Sequence, residues 1–164
     1  MFLRGNSDRY LIRLIALALP AMLAFVVVAS SSAAGTRQAT GSAAVKTRTI
    51  NNLGAVLVNS KGRTLYVFLP DKHRRVTCTG SCASFWPPLK SKGSGKPKAG
   101  GAAKSKLLGS DKSPSGGRVV TYNKWPLYTY VGDSAAGQAT GQGLDSSGGK
   151  WYVISAGGKI VKHT

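Results

Sequence analysis

The sequence predicts an all-β fold: a small single domain of paired β-hairpins, related by an approximate twofold axis and packed as a sandwich or a barrel. Three observations favour this fold. Short β-prone runs alternate with turn clusters, one aromatic motif occurs twice, and no stretch after residue 35 has a helical apolar period over ten or more residues. The chain has 164 residues, which is room for one such domain.

Three hairpins are expected along the chain. Each consists of two β-prone runs around a cluster of turn-forming residues. The paired runs are residues 55–58 with 65–69, 118–122 with 126–131, and 151–154 with 159–161. One short helix fits at Ser81–Phe85, and Pro87 and Pro88 would end it.

The first two hairpins share the motif Leu-Tyr-x-aromatic-x-x-Asp, at residues 65–71 and again at residues 127–133. So specific a string, repeated at an offset of 62 residues, indicates an internal duplication. A single hairpin cannot bury its own apolar face, so the two copies are expected to pack together. The motif residues are Tyr66, Phe68 and Asp71 in the first copy and Tyr128, Tyr130 and Asp133 in the second.

The aromatic rings of the motif are expected in the core, because these strands are apolar on both faces. The two aspartates follow the strands, where an Asp commonly accepts hydrogen bonds from turn amides. The alternative is that Asp71 and Asp133 meet across the twofold axis and hold a hard cation such as calcium. Two carboxylates alone make a poor cage, so no cofactor is expected there.

Residues 1–34 are expected to be a secretory signal peptide that is cleaved near Ala34. Three arginines precede the apolar run at residues 14–29, and small residues follow it. The alternative is an uncleaved membrane anchor. The 16 residues of the run would span roughly 24 Å as a helix, less than the ~30 Å hydrocarbon core, and Pro20 interrupts them. No Cys lies near the cleavage site, so the new terminus is not expected to carry lipid.

Two segments are expected to lack fixed structure. Residues 35–52 are mostly Gly, Ala, Ser, Thr and basic residues, which predicts a flexible leader before the duplicated β domain at residues 53–164. Residues 90–106 place lysines among Gly, Ala, Ser and Pro, which predicts a mobile, solvated loop. The lysines of this loop are Lys90, Lys92, Lys96, Lys98, Lys104 and Lys106.

Charge is the most unusual bulk property of the chain. It has 23 Lys and Arg against 5 acidic residues, and cleavage after Ala34 would leave 20 against 4, a formal charge of +16. Such a surface attracts polyanions. In an exported protein, the expected partners are anionic cell-envelope polymers or lipid headgroups, bound through the loop lysines, and no specific nucleic acid. The alternative is that excess lysine only keeps a secreted protein soluble.

Cys78 and Cys82 are expected to form a structural disulfide, because thiols of exported proteins are usually oxidised. The alternatives are a redox-active pair, or a copper site in which His73 is the one nearby nitrogen ligand. A c-type haem would need His directly after the second Cys, and that residue is Ala83. The chain has no Glu and none of the common catalytic motifs, so no enzymatic activity is expected.

The chain resembles a bacterial secreted-repeat family, often labelled lipoproteins with a Tyr-x-aromatic-x-x-Asp motif. The matching residues of the first half are Leu53-Gly54-x-Val56-Leu57-Val58, Gly62-x-Thr64-Leu65-Tyr66-x-Phe68-x-x-Asp71 and Cys78-x-Gly80-x-Cys82-Ala83-x-x-Trp86-Pro87-Pro88-Leu89. Those of the second half are Thr121-Tyr122, Pro126-Leu127-Tyr128-x-Tyr130-x-x-Asp133, Gly141-Gln142-Gly143 and Gly148-Gly149-x-Trp151-Tyr152.

This resemblance covers about residues 53–158, and it implies an envelope or secreted domain whose biochemical role is not established. The chain departs from the family pattern in two ways. It lacks the Cys that carries lipid in many relatives, and its insert at residues 90–106 is unusually basic.

Overall fold

The computed structural model describes residues 44–71, 75–91 and 96–163. It contains nine strands and one α-helix over these residues, together with a 3-10 turn at Ser105–Leu107. The strands are β1 (Ala44–Ile50), β2 (Gly54–Asn59), β3 (Tyr66–Phe68), β4 (Lys98–Ala99), β5 (Leu108–Lys112), β6 (Arg118–Tyr122), β7 (Trp125–Pro126), β8 (Asp145–Ser146) and β9 (Gly149–Val153), and the helix is α1 (Ser81–Phe85).

The strands form three small sheets, in the orders β2-β1-β4, β3-β9-β8 and β5-β6-β7. All pairs are antiparallel except β1 with β4, which are parallel. Isolated bridges link the sheets, among them Val56 with Ser155 and Tyr66 with Tyr128. The prediction of a small all-β domain is confirmed.

Strand β3 lies between two parts of the hydrophobic core. Tyr66 and Phe68 pack into one buried cluster with Trp86, Trp151 and other residues. Val67, on the opposite face of the strand, packs into a second cluster. A strand buried on both faces has no solvent side, which explains its continuous apolar sequence.

Two of the expected hairpins form close to their predicted positions. Strands β6 and β7 pair around Asn123 and Lys124, whose φ angles of 47° and 69° are those of a tight left-handed hairpin turn. After β9, Ile154 bridges Ile160 around a turn at residues 156–158. Helix α1 has the predicted bounds.

The first expected hairpin is only partly formed. Its turn is present, because Val58 bridges Thr64 and the N–H of Leu65 donates to the oxygen of Leu57 at 2.9 Å. Beyond the turn, however, β2 takes β1 as its main partner, and β3 takes β9. Longer-range pairings therefore replace the rest of the local hairpin.

The expected leader at residues 35–52 is wrong over Ala44–Ile50, which form strand β1 along the full length of β2. Val45 is fully buried, while Lys46 and Arg48 are exposed. The β-branched residues Val45, Thr47 and Thr49 alternate with these cations, which is a strand pattern with few apolar residues. Residues 35–43 lie outside the described part of the chain.

The expectation of a mobile loop at residues 90–106 is also wrong over part of its length. Lys98–Ala99 form β4 and pair with the start of β1. The N–H of Gly100 donates to the oxygen of Val45 at 2.8 Å, and the N–H of Ala102 donates to Oγ1 of Thr47 at 3.0 Å. The strand pairing and these two hydrogen bonds hold a segment that has almost no apolar side chains of its own.

Candidate functional site

The two copies of the aromatic motif meet backbone to backbone at their tyrosines. Tyr66 and Tyr128 form an antiparallel bridge. The N–H of Tyr66 donates to the oxygen of Tyr128 at 2.8 Å, and the N–H of Tyr128 donates to the oxygen of Tyr66 at 3.0 Å. Because equivalent residues exchange both hydrogen bonds, the approximate twofold axis passes through this pair.

The side chain of Tyr66 is held by the aspartate of the other motif copy. Its hydroxyl donates to Oδ2 of Asp133 at 2.8 Å and accepts from the N–H of Gly141 at 3.2 Å. The second oxygen, Oδ1, accepts from the N–H and the hydroxyl of Thr140 at 2.9 and 2.7 Å. Asp133 is 2 % exposed, so this carboxylate is bonded almost entirely within the protein interior.

The same arrangement occurs on the other side of the axis. The hydroxyl of Tyr128 donates to Oδ2 of Asp71, and Oδ1 of Asp71 accepts from the N–H and the hydroxyl of Thr77 at 2.7 and 2.5 Å. Each aspartate therefore binds the tyrosine of the opposite repeat. We call these two sets of residues, Tyr66–Asp133–Thr140 and Tyr128–Asp71–Thr77, the crossed clamps.

Burial sets the protonation behaviour of the crossed clamps. Burial raises the pKa of Tyr66 well above its ordinary value of 10.0, and the hydrogen bond to Asp133 and its charge raise it further. The pKa of Tyr128 is raised in the same way, by burial and then by the charge of Asp71. Burial also raises the pKa of Asp71, although the bonds from Thr77 and Tyr128 oppose that shift.

Six aromatic rings pack together in this region, and two of them are the tyrosines of the crossed clamps. Four of them form a continuous stack in the order Phe68, Trp151, Trp86 and Tyr130. The two central indoles lie 3.9 Å apart with planes 2° from parallel, and the outer pairs are 4.3 and 4.2 Å apart. Tyr66 meets Trp86 edge-on at 5.4 Å, and Tyr128 meets Trp151 edge-on at 5.2 Å. Of the four motif rings, those of Tyr66, Phe68 and Tyr128 are buried, and Tyr130 is partly buried against the same cluster.

Cys78 and Cys82, which precede Trp86 in the chain, form a disulfide with their Cα atoms 5.3 Å apart. In this bonded form neither sulfur is the thiolate that a copper site requires. His73, the proposed nitrogen ligand, lies outside the described residues. No group of three or more His, Cys, Asp or Glu side chains comes together in residues 44–71, 75–91 and 96–163.

The calcium alternative for Asp71 and Asp133 does not fit the observed bonding. All four carboxylate oxygens accept hydrogen bonds from tyrosine or threonine hydroxyls or from threonine amides. A cation would have to replace these donors. The crossed clamps thus join the two repeats in the protein interior, and any surface binding site must be made by other residues.

The surface of the described residues is more basic than the sequence alone suggests. These residues include 16 Lys and Arg but only 4 Asp, and two of the four, Asp71 and Asp133, are buried. Of the other two, Asp145 lies 3.4 Å from Lys150 as an exposed ion pair. The surface of the described part thus presents its Lys and Arg side chains with two exposed or partly exposed carboxylates, Asp111 and Asp145.

The structure places the six candidate lysines in different surroundings. Lys90, Lys96, Lys98, Lys104 and Lys106 are exposed, and Lys92 lies outside the described residues. The ammonium of Lys90 donates to the oxygen of Gly116 at 3.0 Å, at the turn between β5 and β6. Of the other described candidates, Lys98 lies in β4 and Lys106 in the 3-10 turn.

One of them, Lys106, shares a groove of about 330 Å³ with Lys124. The groove is also lined by Leu107, Leu108, Gly109, Thr121 and Asn123. Its walls are joined by hydrogen bonds, because Asn123 donates its N–H to the oxygen of Leu107 at 2.8 Å and its side-chain Nδ2 to the oxygen of Gly158 at 2.9 Å. We call this feature the lysine groove.

The duplicated architecture agrees with a comparison to protein families. The family described as "Secreted repeat of unknown function" matches the chain over residues 47–90 and again over residues 109–155. The chain belongs to this secreted-repeat family. We refer to the two matched segments as the first and second repeats. Comparison with curated proteins returned no match, and comparison with solved structures returned none.

Membership of the secreted-repeat family fits an exported protein and an extracytoplasmic location. In the part of the chain that the structure describes, no helix is long and apolar enough to cross a membrane. The expected signal peptide and its cleavage near Ala34 fall outside that part.

Sequence reasoning missed the threonines of the crossed clamps and the second lysine of the groove. A signal for the threonines was present, since Thr77-x-x-Gly80 recurs as Thr140-x-x-Gly143 at an offset of 63 residues. Both glycines have a positive φ, 56° at Gly80 and 73° at Gly143. Lys124 lay in a predicted turn, but no sequence pattern brings it near Lys106.

Proposed function

We propose that this secreted-repeat protein is an exported, non-catalytic module that binds anionic cell-envelope polymers or lipid headgroups through its basic surface. The observation that carries the proposal is the distribution of charge. Half of the acidic residues in the described part are used inside the crossed clamps, whereas its Lys and Arg side chains lie at the surface. The summed field of such a surface concentrates anions around it.

The lysine groove is the strongest candidate for contact with an individual anionic group. Its volume lies at the small end of the range for ligand sites, which suits a phosphate or carboxylate unit of a longer chain. The exposed lysines at its sides, Lys106 and Lys124, supply charge, and the exposed Asn123 supplies a polar side chain. The hydrogen bonds of Asn123 fix the walls, so little order would be lost on binding.

The buried carboxylates support a non-catalytic role. Asp71 and Asp133 would be the natural general bases of this chain, but their oxygens are bonded to interior hydroxyls and amides. A general base must lie within hydrogen-bonding reach of the substrate proton. At less than 3 % exposure, neither carboxylate is presented to a substrate.

The test is binding of the exported protein to long-chain inorganic polyphosphate at increasing salt. We expect affinity to fall steeply between about 50 and 200 mM salt. Replacing both groove lysines, Lys106→Gln with Lys124→Gln, should weaken binding by about fivefold for each lysine. The matched control is Lys159→Gln, an exposed lysine that does not line the groove. Salt-insensitive binding, or none to any polyanion, would overturn the proposal.

A further inference from the structure

The two large hydrophobic residues most exposed in the described part lie opposite each other on hydrogen-bonded backbone segments. Phe85 is 58 % exposed and Val131 is 54 % exposed. The N–H of Val131 donates to the oxygen of Phe85 at 3.0 Å. This bond joins the last residue of α1 to the residue directly after Tyr130. The pair is therefore a small exposed apolar feature whose position is fixed by the backbone.

This apolar pair is held in place by a rigid ladder. The N–H of Thr129 donates to the oxygen of Pro87 at 2.9 Å, and the N–H of Leu89 donates to the oxygen of Leu127 at 2.8 Å. Residues 85–89 therefore run antiparallel to residues 127–131. The adjoining ring of Trp86 is fully buried in the aromatic stack. Phe85 and Val131 therefore project from a well-packed part of the domain.

Basic residues adjoin one member of this pair, Val131. Val131 lines a groove of about 340 Å³ together with Lys61, Arg63 and Asn59. The turn that carries both cations is fixed, because Oδ1 of Asn59 accepts from the N–H groups of Lys61 and Arg63 at 2.9 and 3.0 Å. We call Phe85, Val131, Lys61 and Arg63 together the amphipathic face.

One acidic residue also lines this groove, against the two cations Lys61 and Arg63. Asp133 lines the groove, but its carboxylate is 2 % exposed and is bonded to Tyr66 and Thr140. Lys61 is exposed and Arg63 is partly exposed. The face therefore offers apolar side chains and positive charge to the same partner.

We propose that the amphipathic face docks on a bilayer surface that contains anionic lipids, with Phe85 and Val131 inserted at the level of the headgroups and Lys61 and Arg63 on the phosphates. The argument is charge complementarity: cations beside exposed apolar side chains match an anionic, amphiphilic surface. A second copy of this chain is a poor occupant, because it would bring the same positive charge to the contact. This inference rests on the proposed function and names one partner within it.

The test compares vesicles with a soluble polyanion, using the exported protein. Phe85→Ala should weaken binding to phosphatidylglycerol–phosphatidylcholine vesicles by about tenfold, because the ring no longer leaves water. Binding to inorganic polyphosphate, which offers charge but no apolar phase, should be unchanged. Phe85→Leu, which keeps an apolar side chain, should retain most of the vesicle binding.

A depth measurement makes the test independent of affinity. In the Phe85→Trp variant, vesicles of brominated lipid should quench the added fluorescence, beyond the quenching seen in the parent chain. Lys61→Gln should weaken both vesicle and polyphosphate binding.

Three outcomes would overturn the inference. They are equal vesicle binding by Phe85→Ala and the parent, equal binding to phosphatidylcholine alone, and a concentration-dependent dimer that Phe85→Ala abolishes. Retained polyphosphate binding with any of these would leave the proposed function standing. Loss of all polyanion binding in the parent would instead remove the proposed function itself.

Discussion

The two repeats build the same clamp but close the loop behind it in different ways. In the first repeat, a disulfide between Cys78 and Cys82 and the short helix α1 lie between the aspartate and the tryptophan. In the second repeat, Gly141 and the β8–β9 hairpin occupy that position. The backbone N–H of each tryptophan nevertheless donates to a carbonyl of the preceding loop at 2.9 Å. The acceptor is the oxygen of Cys82 for Trp86 and that of Leu144 for Trp151.

This difference shows which features the architecture requires. The Tyr, Asp and Thr of the crossed clamps and the stacked indoles occur in both repeats, whereas the local loop structure does not. The match is not perfect, since Nε1 of Trp151 donates to the oxygen of Ser146 at 3.0 Å. Nε1 of Trp86 is buried and has no hydrogen-bond partner within the described residues.

Alkaline titration should show that the two clamps behave alike, and it carries the largest expected effect. Because the folded-state pKa of Tyr66 and of Tyr128 lies above 10.0, the folded chain binds more protons than the unfolded chain beyond that pH. The free energy of unfolding should fall by about 1.4 kcal/mol per pH unit for each tyrosine as the pH rises above about 10.

The check is denaturant unfolding at several alkaline pH values, followed alongside tyrosinate absorbance. Tyr66→Phe and Tyr128→Phe should each reduce the pH dependence of the free energy of unfolding by the contribution of one proton, and the two reductions should be equal. A slope that neither variant changes would mean that the two hydroxyls are not protected by the fold.

Substitution at Gly141 should reveal a steric requirement that only the second repeat has. A Cβ there would lie 2.8 Å from Cη2 of Trp86 and 3.0 Å from Cζ of Tyr66, so Gly141→Ala should lower the free energy of unfolding by about 1–3 kcal/mol. In the first repeat the position equivalent to Gly141 is Cys78, which already carries a Cβ. Thermal or urea unfolding measures the loss.

The control for this substitution is Gly157→Ala. A Cβ at Gly157 meets only Oγ of Ser155, at 3.7 Å. Its effect should stay within about 0.5 kcal/mol. Equal losses at the two glycines would show that the contact with the aromatic stack is unimportant.

Reduction of the disulfide should loosen the first repeat selectively, with a smaller effect. A loop this short is expected to contribute about 2 kcal/mol to the free energy of unfolding. Hydrogen exchange should show faster exchange at the N–H of Thr77 after reduction, while the N–H of Thr140, its counterpart in the second repeat, keeps its protection. Equal loss at both amides would contradict the independence of the two loops.

Local sequence patterns predicted the all-β class, helix α1, the disulfide and the duplicated motif. Each depends on residues close together in the chain, such as Pro87 and Pro88 ending α1. Strand β1 was missed because its outward side chains include Lys46 and Arg48, which make the segment look like a basic leader. Its pairing with β4 is made by backbone atoms, which leave little trace in side-chain composition.

The sequence could not predict which tyrosine each aspartate binds. Tyr66 and Tyr128 stand at the same spacing from their own aspartates, so bonding within a repeat and bonding between repeats give the same pattern. Only the three-dimensional meeting of the two strands at Tyr66 and Tyr128 decides in favour of the crossed arrangement.

The crossed arrangement is tested most directly by a double-mutant cycle on unfolding free energies. The cycle of Tyr66→Phe with Asp133→Asn should give a coupling energy of about 1 kcal/mol or more, because the two side chains share a buried hydrogen bond. The matched cycle of Tyr66→Phe with Asp71→Asn should be additive within about 0.5 kcal/mol. Coupling between Tyr66 and Asp71, with additivity between Tyr66 and Asp133, would contradict the crossed clamps.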